Sequence, residues 1–161
     1  MSESPTPRTP IPEFPSDELA AAPALFVQRR AARFQEIDAA GIVFFARLFD
    51  WFHDAYFAFL EGEGGRLPEV MVARPWIAPL RRVDAEFLRP IRFGDEVEVA
   101  IVALRLDGSE LRTGYRIAPA GGGKPLALGR ITAVFVDGQS FKRIEPPEFI
   151  RAAAARLARA T

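Results

Sequence analysis

The sequence predicts an α+β fold in which one curved antiparallel sheet wraps a single long central helix. Three observations carry this. Ile42–Glu61 contains no glycine or proline and holds eight aromatic residues between Phe44 and Phe59, enough for about five helical turns. Its few polar residues, Arg47, Asp50, His53 and Asp54, recur three and four apart as a narrow stripe, and a helix apolar nearly all round is a buried one. The chain that follows then breaks into consecutive segments of period two, the pattern of half-buried strands.

Taken in order, residues 1–24 hold six of the 14 prolines and little apolar periodicity, so they read as a disordered arm. Deleting residues 1–22 is expected to leave the melting temperature nearly unchanged. The arm lacks the basic start and apolar run of a secretory signal. Residues 25–161 read as a single domain. Leu25–Gln35 is expected to be a first strand. Glu36–Gly41 leads into the helix, and a loop rich in glycine and proline, Gly62–Pro75, leads out of it. Val83, Ala85 and Phe87 then alternate with Asp84 and Glu86. Val97, Val99 and Ile101 alternate with Glu96 and Glu98, opening a run to Leu106, and Leu111, Thr113, Tyr115 and Ile117 alternate with Arg112 and Arg116. Leu126–Val136 is a further β-rich run, and glycine turns at Gly94, Gly108, Gly121–Gly123 and Gly138 separate the segments. The tail from Pro147 to Ala160 reads as a short surface helix opened by a proline.

Composition narrows the chemistry. With 21 basic and 21 acidic side chains, the chain has no electrostatic case for nucleic acid or an anionic membrane. Three charges and a histidine inside the apolar helix argue against a membrane span. The chain has no cysteine, which excludes disulfides and thiol nucleophiles and, with no secretory signal, favours the cytoplasm. A single histidine, His53, rules out multi-histidine zinc sites. It lies about four turns from Asp38, too far to share a site along one helix, and is expected to be structural, hydrogen-bonded near Asp50 or Asp54. A serine triad needs that histidine and is rejected.

Asp38, in Glu36-Ile37-Asp38-Ala39-Ala40-Gly41, is the residue that points to chemistry. On position alone it reads first as an N-cap. The same place also suits catalysis. Unpaired N–H groups at a helix start can hold a developing oxyanion, and a carboxylate beside them can attack a carbonyl or deprotonate a water. Gly41 allows close approach to the backbone. Arg81, Arg82, Arg89 and Arg92 form a local cluster, read first as solvated sheet edges and second as a rim for phosphates.

These residues resemble the 4-hydroxybenzoyl-CoA thioesterase family of hotdog-fold proteins. The resemblance runs from Arg33-Phe34-Gln35-Glu36-Ile37-Asp38-Ala39-Ala40-Gly41-Ile42-Val43-Phe44-Phe45 through Ala78-Pro79-Leu80, Asp84-Ala85-Glu86-Phe87-Leu88-Arg89-Pro90 and Phe93-Gly94-Asp95-Glu96-Val97 to Arg143-Ile144-Glu145-Pro146-Pro147-Glu148-Phe149. It implies a hotdog fold, with the sheet as bun and Ile42–Glu61 as sausage, and hydrolysis of an acyl-CoA thioester to free acid and coenzyme A. Asp38 matches the family's catalytic aspartate, as nucleophile or as base toward water. Phe45 matches the position whose backbone N–H polarises the carbonyl, with Gly41 at the turn. Phe44 and Trp76 are candidate substrate-binding residues. The resemblance implies no metal and no resident cofactor, since coenzyme A arrives with the substrate. It also implies a homodimer or homotetramer with sites at subunit interfaces. Some branches carry His or Tyr where Phe45 stands and Asn where Arg47 stands. The phenylalanine tilts the expected substrate toward aromatic or bulky acyl groups, such as hydroxybenzoyl or dihydroxynaphthoyl esters. The reading from another class is a non-catalytic hotdog that binds acyl-CoA or a protein partner; such a module should tolerate Asp38→Asn.

Overall fold

A computed structural model describes residues 14–158. The elements run in the order α1 (Ser16–Ala21), β1 (Phe26–Ala31), a 3-10 turn (Phe34–Glu36), α2 (Arg47–Gly62), α3 (Leu67–Ala73), β2 (Trp76–Ile77), β3 (Leu80–Phe87), β4 (Glu96–Asp107), β5 (Glu110–Pro119), β6 (Ala127–Val134), β7 (Val136–Asp137) and α4 (Glu148–Leu157). Five strands form one sheet in the order β1-β4-β5-β6-β3, antiparallel at every pairing. β2 and β7 make a small separate ribbon.

The alternation read from the sequence decides which face each strand residue meets. Val97, Val99 and Ile101 of β4 join Trp51, Phe52, Ala55 and Phe59 of α2 in the main core. Burying one such side chain fully stabilises the fold by about 1.5–3 kcal/mol relative to leaving it in water. Ala100 and Val102 point to the opposite face, where a second cluster joins them to Phe14, Leu19 and Leu128. The middle of β4 is therefore apolar on both sides because both sides are covered.

What covers the outer face is α1, and this corrects the reading of residues 1–24 as a disordered arm. Residues 14–24 lie on the sheet, while 1–13 fall outside the described residues. Leu19 is fully buried, and a Cβ on Gly114 would collide with its side chain. The Arg116 guanidinium donates to the carbonyls of Ala20 and Ala22 at 3.0 and 2.6 Å. Arg130 Nε donates to the Phe14 carbonyl at 2.6 Å. The proline content misled because it hid two apolar anchors and said nothing of the arginines, about a hundred residues away, that hold the segment. Deleting residues 1–22 would strip one face of the sheet, so a marked fall in melting temperature is expected instead of none.

Five further expectations change. α2 begins at Arg47, five residues later than Ile42. Val43 instead pairs with Ile37 in a β-bridge and donates to the Ile91 carbonyl at 2.8 Å, in keeping with the extended preference of β-branched residues. The helix is not wrapped all round by its own chain. Leu48, Trp51, Phe52, Ala55, Phe59 and Leu60 are buried, whereas His53 is exposed and Tyr56 and Phe57 are only half-covered. His53 packs its ring against Phe57 at 4.3 Å and makes no side-chain hydrogen bond among the described residues, contrary to the bond near Asp50 or Asp54 expected of it. The tail helix is no mere surface feature either: α4 buries Ile150, Ala153, Ala154 and Leu157. The loop after α2 holds the short helix α3, which the sequence reading passed over.

Candidate active site

The segment between β1 and α2 is folded back on itself. The Asp38 N–H donates to the Ile42 carbonyl at 2.9 Å, and the Phe44 N–H donates to the Glu36 carbonyl at 2.8 Å. With the Ile37–Val43 bridge, these bonds make a narrow hairpin with Asp38–Gly41 at its tip. Gly41 has φ +76°, the left-handed conformation that favours glycine. Its N–H donates to the Asp38 carbonyl at 3.0 Å, so that donor is occupied within the turn. Gly41 is a turn residue here, and its expected oxyanion role loses the group it needed.

Asp38 does not cap α2. The residue ahead of the helix is Ala46, with no side-chain cap. Asp38 Oδ1 accepts the Ala40 N–H at 2.8 Å, an Asx turn, and Oδ2 has no partner among the described residues. At the other end of the hairpin the chain enters α2 through a tight turn, with the N–H groups of Arg47 and Leu48 donating to the Phe44 and Phe45 carbonyls. The Phe45 N–H has no acceptor among the described residues. This is the orphan donor expected just ahead of a helix, beside the positive end of the dipole.

Asp38 and Phe45 line one groove of about 400 Å³. Its walls are Ile42, Val43, Phe44, Leu48, Phe87, Leu88, Pro90, Ile91, Leu126 and Ala127. The Phe44 and Phe45 rings stand 4.6 Å apart at its mouth, with both residues substantially exposed. The only positive side chain on the lining is Arg89, and its guanidinium has no carboxylate partner among the described residues. Among the described residues the arrangement is an apolar trough containing one carboxylate, one unclaimed N–H and one cation with no carboxylate partner, the usual makeup of a small-molecule site. Sequence reading grouped Arg89 with its neighbours but could not single it out, because only the groove separates it from them.

Trp76 is not in this groove. It packs on Phe135 and Phe149, with centroids 5.5 and 6.3 Å away, and lines a second, almost wholly apolar cavity of about 340 Å³ with His53, Tyr56, Phe57, Met71 and Leu80. The Tyr56 hydroxyl is enclosed with no hydrogen-bond partner among the described residues, and burial pushes its pKa well above that of an ordinary phenol. The two cavities sit at opposite ends of β3: Leu80 lines one and Phe87 the other.

Comparison with known proteins bears on the fold and the family. A family model described as the thioesterase-like superfamily matches residues 32–154. The 1,4-dihydroxy-2-naphthoyl-CoA hydrolase of Synechococcus elongatus is 30% identical over 121 residues, 74% of this chain and 88% of that protein. The enzyme of the same name from Rippkaea orientalis is 32% identical over 88 residues, 55% of this chain and 64% of that protein, so the match spans just under two thirds of the relative. Among solved structures, a 1,4-dihydroxy-2-naphthoyl-CoA thioesterase from Synechocystis superposes with a TM-score of 0.76 at 22% identity, covering 83% of this chain and 97% of the other. The dynemicin thioesterase superposes with a TM-score of 0.73 at 27% identity, covering 81% and 95%. The fold is that of the hotdog thioesterases, one sheet around one long helix, and the chain belongs to the thioesterase-like superfamily.

Proposed function

We propose that this protein hydrolyses an acyl-CoA thioester carrying an aromatic or otherwise bulky acyl group, releasing free acid and coenzyme A. One observation carries the proposal: the Asp38 carboxylate and the unclaimed Phe45 N–H line the same apolar groove. With the thioester carbonyl oxygen on the Phe45 N–H, negative charge that develops during attack meets a donor already in place. Asp38 then acts in one of two ways. As nucleophile, its oxygen bonds to the carbonyl carbon, the C–S bond breaks, and water cleaves the resulting anhydride. As base, it takes a proton from water, whose oxygen attacks the carbonyl carbon; the C–S bond then breaks, and the departing thiolate takes up that proton. Both routes end in acid plus thiol and ask for no metal or resident cofactor.

Phe44, Phe45, Phe87 and Leu88 give the mouth flat apolar walls suited to a conjugated acyl group. Relatives named for a naphthoyl ester, and a dynemicin thioesterase that binds a polyene, point the same way. Arg89 is the group we assign to the anionic end of coenzyme A. A chain without cysteine has no need of an oxidising compartment, and on that ground we propose a cytoplasmic location for the reaction. None of the described helices is long and apolar enough to cross a membrane.

The partner we propose is a second copy of the chain. β3 is an edge strand that exposes Leu80, Val83 and Phe87, and an unpaired apolar edge is a template for another strand. Antiparallel pairing of two β3 strands about a twofold axis would set the Leu80 end of one copy beside the Phe87 end of the other. The Trp76 and Tyr56 cavity of one subunit would then adjoin the Asp38 groove of its partner. This supports a homodimer, alone or as half of a homotetramer.

The test is thiol release from a panel of short-chain, long-chain and aromatic CoA esters. Turnover greatest on aromatic or bulky esters is expected. Activity confined to short, linear esters would refute the substrate class, and no turnover on any ester would leave an acyl-CoA-binding module.

A further inference from the structure

We infer that Glu36 is a positioning residue for this site, a clamp that sets Asp38 and the Phe45 N–H relative to each other; the inference rests on the thioesterase reading above. Its carboxylate is shielded, with the side chain 13% exposed, yet donors from three parts of the chain converge on it. The Trp51 indole N–H of α2 donates to Oε1 at 2.8 Å, and the Arg30 guanidinium of β1 donates to the same oxygen. The Arg33 backbone N–H, ahead of the 3-10 turn, donates to Oε2 at 2.7 Å. Arg30 also lies over the Trp51 ring, 4.3 Å from its centroid, and reaches Asp54 with its other nitrogen at 3.4 Å. Burial acts to raise the Glu36 pKa, but the Arg33 N–H, the Trp51 N–H and the positive charges of Arg30 and Arg33 outweigh it and hold the carboxyl below the usual range.

The main chain of the same residue closes the base of the hairpin. The Glu36 carbonyl accepts the Phe44 N–H at 2.8 Å. Asp38 lies two residues after Glu36, and Phe45 one residue after Phe44. A single residue thus fixes both ends of the loop that carries the two candidate reacting groups, and its side chain ties that loop to β1 and α2. Glu36 itself does not line the groove, so it acts through the loop and touches no substrate. The rigid frame behind Asp38 is a multi-donor carboxylate site, and a small displacement of reacting groups costs rate steeply.

The test compares wild type with Glu36→Gln and Glu36→Asp. The amide of Gln turns one acceptor into a donor facing the Arg33 N–H or the Arg30 and Trp51 donors, whereas Asp keeps the charge on a shorter arm. A fall of about tenfold or more in kcat with KM within about twofold is expected for Glu36→Gln, with part of the loss recovered in Glu36→Asp. A kcat close to wild type in folded Glu36→Gln, or a loss confined to KM, would overturn the assignment. An activity-independent arm uses amide hydrogen exchange. Protection should drop in residues 36–46 of Glu36→Gln and stay unchanged in β4 and β5, while unaltered exchange in that segment would refute the clamp even if hydrolysis stands. If wild type hydrolyses no ester but the exchange pattern changes as described, the thioesterase reading fails and the clamp survives. Should Glu36→Gln not fold, Arg30→Lys, which leaves the Trp51 and Arg33 donors in place, carries both measurements with the same expected direction.

Discussion

Asp137 and Asp38 both organise turns through their side chains, and they end in different circumstances. Asp137, at the end of β7, accepts the backbone N–H groups of Gln139 and Ser140 at 3.2 and 2.7 Å, and the Ser140 hydroxyl at 2.8 Å, all on one oxygen. These donors, the Ser140 N–H foremost, hold its carboxyl below the usual range, and it lines neither of the two cavities described. Among the described residues, Asp38 accepts one N–H, that of Ala40, and shares an apolar groove with the Phe45 N–H, which has no acceptor there. Both residues satisfy the same local rule, that Asp closes a turn on a backbone donor two residues on. On the proposed function, what sets Asp38 apart is what stands opposite its carboxylate and how few donors already draw on it.

The contrast can be broken or sharpened by experiment. The largest effect is expected from replacing the Phe44–Phe45 amide with an ester, which deletes the Phe45 N–H and otherwise only weakens the Phe44 carbonyl that accepts the Arg47 N–H. If that donor holds the oxyanion, kcat should fall by about 10²- to 10³-fold, and an unchanged kcat would remove it from the mechanism. Arg89→Gln should raise KM for the CoA ester by about three- to tenfold and leave kcat nearly alone, the size expected of one exposed charge-assisted contact. Equal KM values for both proteins would free Arg89 of that role. Asp137→Asn should leave turnover unchanged and lower the melting temperature slightly; a large loss of activity would dissolve the distinction between the two turns. The smallest effect concerns pH. Because the folded pKa of Glu36 lies below its ordinary value of 4.5, its stabilising contribution is complete above that value and is lost as pH falls through the lower, folded one. The stability gap between wild type and Glu36→Gln should therefore be constant near neutrality and close below about pH 4.5. A gap that widens on acidification would mean that the carboxylate does not stabilise the loop.

How much of this was legible beforehand follows the range of the interactions involved. Period two in Val97–Val99–Ile101 and Leu111–Thr113–Tyr115 marked β4 and β5 because alternation is local. The glycine-free aromatic run marked α2 for the same reason. The start of α2 was misplaced because Ile42 and Val43 lie in extended backbone whose partners, Ile37 and Ile91, are set by the hairpin and by a loop nearly fifty residues away. The strap over the outer face was missed because Arg116 and Arg130 hold it from β5 and β6. Asp38 could be found from its Asp-x-x-Gly setting, but not that Gly41 keeps its N–H for the turn, nor that Trp76 belongs to another cavity. Glu36 gave no sign, since its weight comes from Arg30 and Trp51 meeting it across three elements.

The most direct test of the central claim is the turnover of Asp38→Asn beside wild type on the best aromatic CoA ester, with a thermal melt of each. The account predicts at least about a 100-fold loss of kcat with the melting temperature nearly kept, because the Asn side-chain oxygen can still accept the Ala40 N–H. Equal turnover in the two proteins would contradict it and remove Asp38 from the chemistry.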